Sequence, residues 1–373
     1  MPTILIGADV NPRGRMQAPF QAGDAAAIFN DLLDEFQAAD LAIVNMEGPL
    51  IAEASPIMRP GSILGAPEAC VRGFKNAHID VVTLANNHIM DHGEAGLKTT
   101  LAACRQAGIA TVGAGENLLA ASRIHTVEVG GVRIGLLAIS VSGFWIAGRD
   151  FWGANPADLA HYIRTLRGHG QDYDFLVVLF HGGTEHYPYP SPRQIETCRF
   201  LVEEGAGAVL CQHTHCPGCF EYYEGAPIVY GQGNLVFDGY PLTRRSSGEG
   251  ILVRLRIEKG RPCSMDFVPY VQCDHRPGAR RMDGIEEERL RRDLLERSDA
   301  IRDEEFVRQQ WVQFCKKHER LYLSLLRGQG AFVRRLNGRI GWLDQIYSPR
   351  KRCLINTLMR QESVREIIET ICP

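Results

Sequence analysis

Five short apolar runs in this chain each stop at a side chain that can ionise or bind a metal. Thr3-Ile4-Leu5-Ile6-Gly7 leads to Asp9, Leu41-Ala42-Ile43-Val44 to Glu47, and Ile79 to Leu84 to Asn87-His88. Phe175 to Phe180 leads to His181, and Ala208-Val209-Leu210-Cys211 to Gln212-His213-Thr214-His215. Runs apolar at every position predict strands buried on both faces. Between them lie helical patterns over Asp24–Ala38, Pro67–Asn76, Gly93–Ala107, Asn155 to about Gly170, and Ser191 to Gly205. Strands alternating with helices predict an α/β layered core, and in such folds ligands gather at the carboxyl ends of strands.

The His213/His215 pair is the sharpest of these ends. Two imidazoles one residue apart beside a buried strand each need a hydrogen-bond partner or a metal. Further strands are expected at 109–112, 124–129 and 132–139, with Gly130-Gly131 as a hairpin turn, and at 220–223 and 228–230 around Glu224-Gly225. Residues 250–257 and 265–271 alternate like strands at an outer sheet edge.

From about His275 the texture changes to Glu-, Arg- and Leu-rich helical stretches, broken at Asn337-Gly338 and Ser348-Pro349. Residues 1–274 carry 20 Lys/Arg against 29 Asp/Glu and ten of the 12 histidines; residues 275–373 carry 21 against 15. We therefore expect a chemical domain, 1–274, and a helical C-terminal region, 275–373, whose Leu290, Leu294, Leu295, Phe306, Trp311, Phe314, Leu321 and Leu325 pack on the core or on a second subunit. The tail is too evenly mixed in charge and too dilute in aromatics for nucleic acid. Eleven cysteines without framework spacing suggest reduced thiols. With no signal-peptide pattern and no membrane-length apolar run, a cytoplasmic location is expected.

Carboxylates suit hard divalent ions, imidazoles suit transition metals, and a neutral Asn adds a ligand without charge. Two close ions bridged by one carboxylate and a water would use them all. The ordered motifs Gly7-Ala8-Asp9, Asn45-Met46-Glu47-Gly48-Pro49-Leu50, Leu84 to Asp91, His181-Gly182-Gly183-Thr184-Glu185, His213-Thr214-His215 and Gly231 to Asp238 closely resemble the CapA-like family. That family of bacterial capsule, or poly-γ-glutamate, biosynthesis proteins is a branch of the calcineurin-like metallophosphoesterases, and the resemblance covers residues 3 to about 271.

The resemblance implies a four-layer α/β/β/α sandwich with a two-metal site holding Mn, Fe or Zn. One ion would be held by Asp9, Glu47 and His215, with Asn11 nearby; the other by Glu47, Asn87, His181 and His213. His88 would protonate a leaving oxygen, and Asp91 of the same motif would be the second catalytic residue. Asn11, Glu185, Tyr187 and Asn234 would face the substrate. Many calcineurin-like enzymes carry His where this chain has Asn11, a change that fits the CapA-like branch and weakens one metal position. Family members often begin with a membrane anchor, and no such stretch is read here.

Plainer readings stand beside these. Asp9 can cap its own loop, Glu47 can pair with Arg13 or Arg15, and Cys216-Pro217-Gly218-Cys219 reads first as a turn and second as accessory thiols. Tyr187 to Pro192 can wall the site or only set up a helix, and Trp145 and Trp152 can form a lid or a plug. The expected function is a metal-dependent hydrolase that uses a dimetal-activated hydroxide on a phosphoester or a γ-glutamyl amide. The alternative is a capsule, poly-γ-glutamate or natural-product biosynthesis protein that handles an acidic intermediate without hydrolysis. Expected partners are a small-molecule or acidic-polymer substrate and, through the C-terminal helices, a synthase or a second copy.

Overall fold

The computed structural model describes residues 2–371 apart from 60, 142, 144, 170–171, 240–247, 260–262 and 327–347. Strands β1 (Thr3–Asn11), β2 (Leu41–Met46), β3 (Val81–Thr83) and β4 (Ala110–Val112) run parallel to one another, with helix α1 (Gly93–Ala107) in the last crossover. Next come β5 (His125–Val129), β6 (Val132–Ser140), α2 (Leu159–His169), β7 (Phe175–His181), α3 (Pro192–Glu203) and β8 (Ala208–Gln212). The sandwich closes with β9 (Phe220–Tyr223), β10 (Ala226–Val229), β11 (Asn234–Phe237), β12 (Glu249–Arg256), β13 (Ser264–Gln272) and β14 (Ala279–Arg281). Helices α4 (Gly284–Ala300), α5 (Glu304–Leu326), α6 (Pro349–Arg360) and α7 (Glu362–Ile371) follow.

The first sheet has the order β14-β13-β12-β1-β2-β3-β4, with β11 also paired to β1. The second has the order β9-β10-β8-β7-β6-β5. Alternate residues of each strand face opposite ways, and the burial follows that period. Ile4, Ile6, Ile43 and Val253 of the first sheet share one core cluster with Leu136, Val177, Leu179 and Leu210 of the second. The intervening Leu5, Val44, Val178 and Val209 belong instead with helical residues such as Ile28, Phe74, Leu97, Tyr162 and Leu201. Sheets face each other inside and helices cover both outsides, which is an α/β/β/α sandwich.

The 250–257 and 265–271 runs behave differently from expectation. β12 is not at an edge: it lies between β1 and β13, antiparallel to both, and the far strand on that side is β14. Its polar residues mislead, because Arg254 is neutralised by Asp266 and Glu35 rather than turned to open solvent. The helical pattern over 24–38 is also divided, into Ala25–Phe29, a tight turn over Asn30–Leu32, and Leu33–Ala38, with Asn30 at φ 45°.

Leu290 and Leu294 of α4 join the cluster between the sheets. Trp311 and Cys315 of α5 cluster with Ile367 of α7 and with Tyr187. The proposed break at Asn337-Gly338 lies outside the described residues, as do the side chains of Leu321 and Leu325. Trp145 is a plug, not a lid: it is buried, and its indole N–H donates to the Val141 carbonyl at 3.1 Å.

Candidate metal centre

The ladder registers bring the strand ends to one level. Asp9 is level with Asn45 of β2 and Asn234 of β11, and His181 with Gln212 of β8. Register slips around Gly7-Ala8-Asp9, an irregularity of the kind that re-aims a side chain at a site. Two buried amides bind β1 to the second sheet's strand end. Gln212 Nε2 donates to the Gly7 carbonyl at 3.0 Å and Gln232 Nε2 to the Ile6 carbonyl at 2.9 Å.

Around the opening between these ends, Asp9, Glu47, Asn87, His181, His213 and His215 are all buried. His181 Nδ1 and His215 Nδ1 each lie 3.8 Å from an Asp9 oxygen, and His181 Nε2 lies 3.9 Å from Glu47 Oε1 and 2.9 Å from Asn87 Oδ1. Donor atoms of Glu47, His213 and His215 fall within 4.8 Å of one another. The backbone is bent to achieve this: His213 and His215 have φ of 88° and 53°, a left-handed region that non-glycine residues enter at a cost of roughly 1–3 kcal/mol each.

Asp9 does not cap the loop that follows it. Its Oδ1 accepts from Asn45 Nδ2 at 2.8 Å and its Oδ2 from the His213 N–H at 3.1 Å. Neither does Arg15 pair with Glu47; it makes a two-pronged contact with Asp238. Both oxygens of Glu47 are buried with no hydrogen-bond partner among the described residues, and so are His213 Nδ1 and Asn11 Oδ1.

Burial, reinforced by the charges of Asp9, Glu185 and Asp91, pushes Glu47 well above the usual carboxylate range. Burial also raises Asp9, against the pull of His215 and of its hydrogen-bond donors. Burial, then the neighbouring imidazoles, holds His181 well below its ordinary value, and burial lowers His213 to about 4. Neutral imidazoles offer free lone pairs, and carboxyls raised by burial and mutual repulsion are ones that a divalent cation would stabilise as carboxylates. The residues therefore fit a metal.

His88 stands beside this cluster, its Nε2 3.9 Å from Glu47 Oε1 and its Nδ1 2.6 Å from Asp91 Oδ2. Asp91 is buried and also accepts from the Leu64 N–H at 2.7 Å and from Arg59. Arg59 further donates to the Asn87 carbonyl at 2.8 Å. Asn234 Oδ1 lies 2.7 Å from His215 Nδ1, and Asn11 Nδ2 donates to the Glu47 carbonyl. Glu185 is exposed at the rim, within electrostatic range of His213, His215, His186 and His88. Tyr187 turns away from solvent, its ring 4.5 Å from Phe314 and 5.7 Å from Trp311.

Sequence reasoning passed over Asn45, Asn86 and Arg59. Asn45 lies inside a quoted motif, and its amide reaches Asp9 on one side and His181 Nδ1, 3.2 Å away, on the other. Asn86 Nδ2 donates to the Met46 carbonyl at 2.8 Å. Arg59 comes from a loop with no motif. Cys216 and Cys219 are buried on a segment fastened by the Gly218 N–H to the Gly231 carbonyl and by the Tyr230 N–H to the Cys219 carbonyl. The ten described cysteines form no disulfide.

Comparison with known proteins places the chain. The family described as "Bacterial capsule synthesis protein PGA_cap" matches residues 3–239. This chain belongs to that family. It is 30% identical over 281 residues to the PGA biosynthesis protein CapA of Bacillus subtilis (strain 168), across 74% of this chain and 73% of that protein. It is 32% identical over 253 residues to the capsule biosynthesis protein CapA of Bacillus anthracis, across 65% of this chain and 60% of that one, so the match leaves two fifths of that relative unspanned. A probable polyglutamine synthesis accessory protein of Mycobacterium tuberculosis is 32% identical over 232 residues, 58% of this chain and 59% of its own. Among solved structures, a hypothetical protein from Thermus thermophilus aligns with a TM-score of 0.47 at 17% identity, over 72% of this chain and 99% of that one. No described helix of this PGA_cap family member is long and apolar enough to cross a membrane.

Proposed function

We propose that this protein is a metal-dependent hydrolase acting on a phosphoester or γ-glutamyl amide in the assembly of an acidic polymer. The carrying observation is Glu47, a carboxylate buried with both oxygens unpaired beside the unpaired His213 Nδ1. An isolated buried charge is strongly unfavourable unless a counter-charge reaches it. The relatives' names, which speak of capsule and PGA biosynthesis, support the acidic substrate.

On this reading Asp9 and His215 hold one divalent ion, Asn87, His181 and His213 hold a second, and Glu47 serves both. Mn, Fe or Zn suits this mixed donor set. Such ions supply Lewis acidity toward a water and toward the scissile group. The chain's own residues do the rest. Asn234 takes the Nδ1 proton of His215, leaving Nε2 as the ligand atom. Asp91, itself fixed by Arg59 and the Leu64 N–H, accepts from His88 Nδ1 and favours the imidazolium against the burial that opposes it, and in that form the Nε2 N–H serves a leaving oxygen or nitrogen. Asn11 and Glu185 stand on the substrate side, with Tyr187 bracing the Glu185 loop from beneath.

Metal analysis of gently purified protein, followed by phosphoesters and γ-glutamyl peptides on the same sample, tests this. About two divalent ions per chain and turnover of one class are expected. Metal-free protein that gains no activity with Mn, Fe or Zn would sink the proposal. A second reading, a non-hydrolytic accessory protein, draws on the word "accessory" in the mycobacterial relative's name and on the basic residues 275–373. It predicts bound metal, no turnover, and capture of a synthase that is lost when that region is removed.

A further inference from the structure

Behind the metal centre lies a second feature with no part in the chemistry above. A cavity of about 720 Å³ opens at the N-terminus of α3, between the Gly183-Thr184 loop and Ser363 and Glu366 of α7. At its wall is Gln194, only 6% exposed, whose Nε2 has no hydrogen-bond partner among the described residues. Ser191, the N-cap of α3, accepts from the Gln194 N–H at 3.2 Å and donates its hydroxyl proton to Glu366 Oε2 at 3.0 Å. Thr184 and Thr197 add hydroxyls, while Arg193 and Glu196 sit at the exposed rim.

The Gln194 amide and the N-terminus of α3 point to the same ligand chemistry. A buried amide N–H₂ without an acceptor is unfavourable, and a helix N-terminus favours negative charge. Of the two carboxylates that line the cavity, Glu196 lies at the exposed rim and Glu366 reaches the Ser191 hydroxyl. The cavity also adjoins the metal loop. A Cβ on Gly183 would lie 2.9 Å from Gln194 Nε2 and 3.0 Å from the methyl of Thr214, the residue between His213 and His215. Bare glycine backbone is what lets cavity and metal loop share this wall.

We propose that this cavity is a binding site for a ligand carboxylate, taken by Gln194 and the Ser191 hydroxyl, and that Glu366 is an internal competitor for the same position. Its use as a substrate subsite rests on the acidic-polymer reading above; its carboxylate chemistry does not. A chain of γ-linked glutamates, with a free carboxylate on every residue, can then enter the cavity with one residue while a neighbouring linkage approaches the metal loop.

The test is calorimetric titration of the full chain with tri-γ-glutamate and with glutarate, using inorganic phosphate as an anion of different chemistry. Both carboxylates bind the wild type and phosphate does not. Gln194→Glu, nearly isosteric and repulsive, weakens binding about tenfold, as loss of one hydrogen bond to a charged group implies. Glu366→Gln, on a half-buried helix face, strengthens binding several-fold. Unchanged affinity in Glu366→Gln, or phosphate binding as tightly as glutarate, overturns the proposal even if the Gln194 variant fails to fold. Metal content read on the same samples keeps the two ideas apart. Lost carboxylate binding with metals in place defeats this proposal alone, and absent metals with carboxylate binding intact defeats only the reading of the metal centre.

Discussion

At the residue scale, Glu47 has opposite effects on stability and on function. Glu47→Gln removes a buried carboxyl whose oxygens accept no hydrogen bond from any described residue, so the metal-free protein should gain about 1–3 kcal/mol of stability. The same change should abolish stoichiometric metal. Denaturant unfolding in chelator, beside metal analysis, checks both, and a variant that is destabilised without metal contradicts the unpaired state of Glu47. His215→Ala should selectively release the ion on the Asp9 side; equal loss of both ions counts against the proposed division. Residues such as Asp9, Glu47, His181 and His213 were legible because each breaks an apolar run with a group that cannot be buried alone. Arg59 was not, since an arginine in a polar loop is ordinary until the fold carries it onto Asp91. Asn45 was hidden for another reason: the two groups beside its Nδ2, Asp9 and His181, come from different sheets.

At the scale of elements, strands were readable from apolar runs, but their neighbours were not. Alternation in 250–257 suggested an edge, and only the pairing of Glu35 with Arg254 and Arg281 shows how a charged strand sits centrally. Burial raises Glu35, but the hydrogen bonds and charges of the two arginines outweigh it and hold the carboxyl below its usual range. A depressed carboxyl contributes stability that is complete above the unfolded-state value of about 4.3 and is lost as pH falls through the folded one. Glu35→Gln should therefore lower stability at neutral pH by about 1 kcal/mol and flatten the acid side of the stability curve. Thermal melts between pH 3 and 7 read this directly. Gly113 makes a sterner demand. It has φ 94°, and a Cβ there would lie 2.7 Å from Ala85, just past β3 of the first sheet, and from Ala138 in β6 of the second. Gly113→Ala should cost roughly 2–4 kcal/mol, from overpacking and left-handed strain together, measurable as a lower denaturation midpoint.

At the scale of the molecule, the change of texture at about 275 was plain in charge and composition, whereas the depth to which the following segment is built into the sandwich was not. β14 extends the first sheet, and Leu290 and Leu294 lie in the cluster between the sheets. The proposed boundary between 274 and 275 is therefore tested by two truncations. Removing 304–373 leaves β14 and α4 in place, while removing 275–373 also takes away β14, α4 and both leucines, whose burial is worth about 2 kcal/mol each. The longer deletion should have the lower melting temperature, by several degrees at least; equal melting points would show that α4 contributes nothing to the core.

The same wholeness governs how the centre comes into being. Asp9, Glu47 and Asn87 belong to the strand ends of one sheet, and His181, His213 and His215 to those of the other. Neither sheet alone presents the proposed donor set, so uptake of ions records the docking of one sheet upon the other, which joins residues as far apart in the chain as Asp9 and His213, and such non-local contacts are slow to form. In refolding followed with a metal-responsive dye, capture should lag behind recovery of secondary structure. Cation concentration would then govern how long the docked state lasts rather than how fast it is reached.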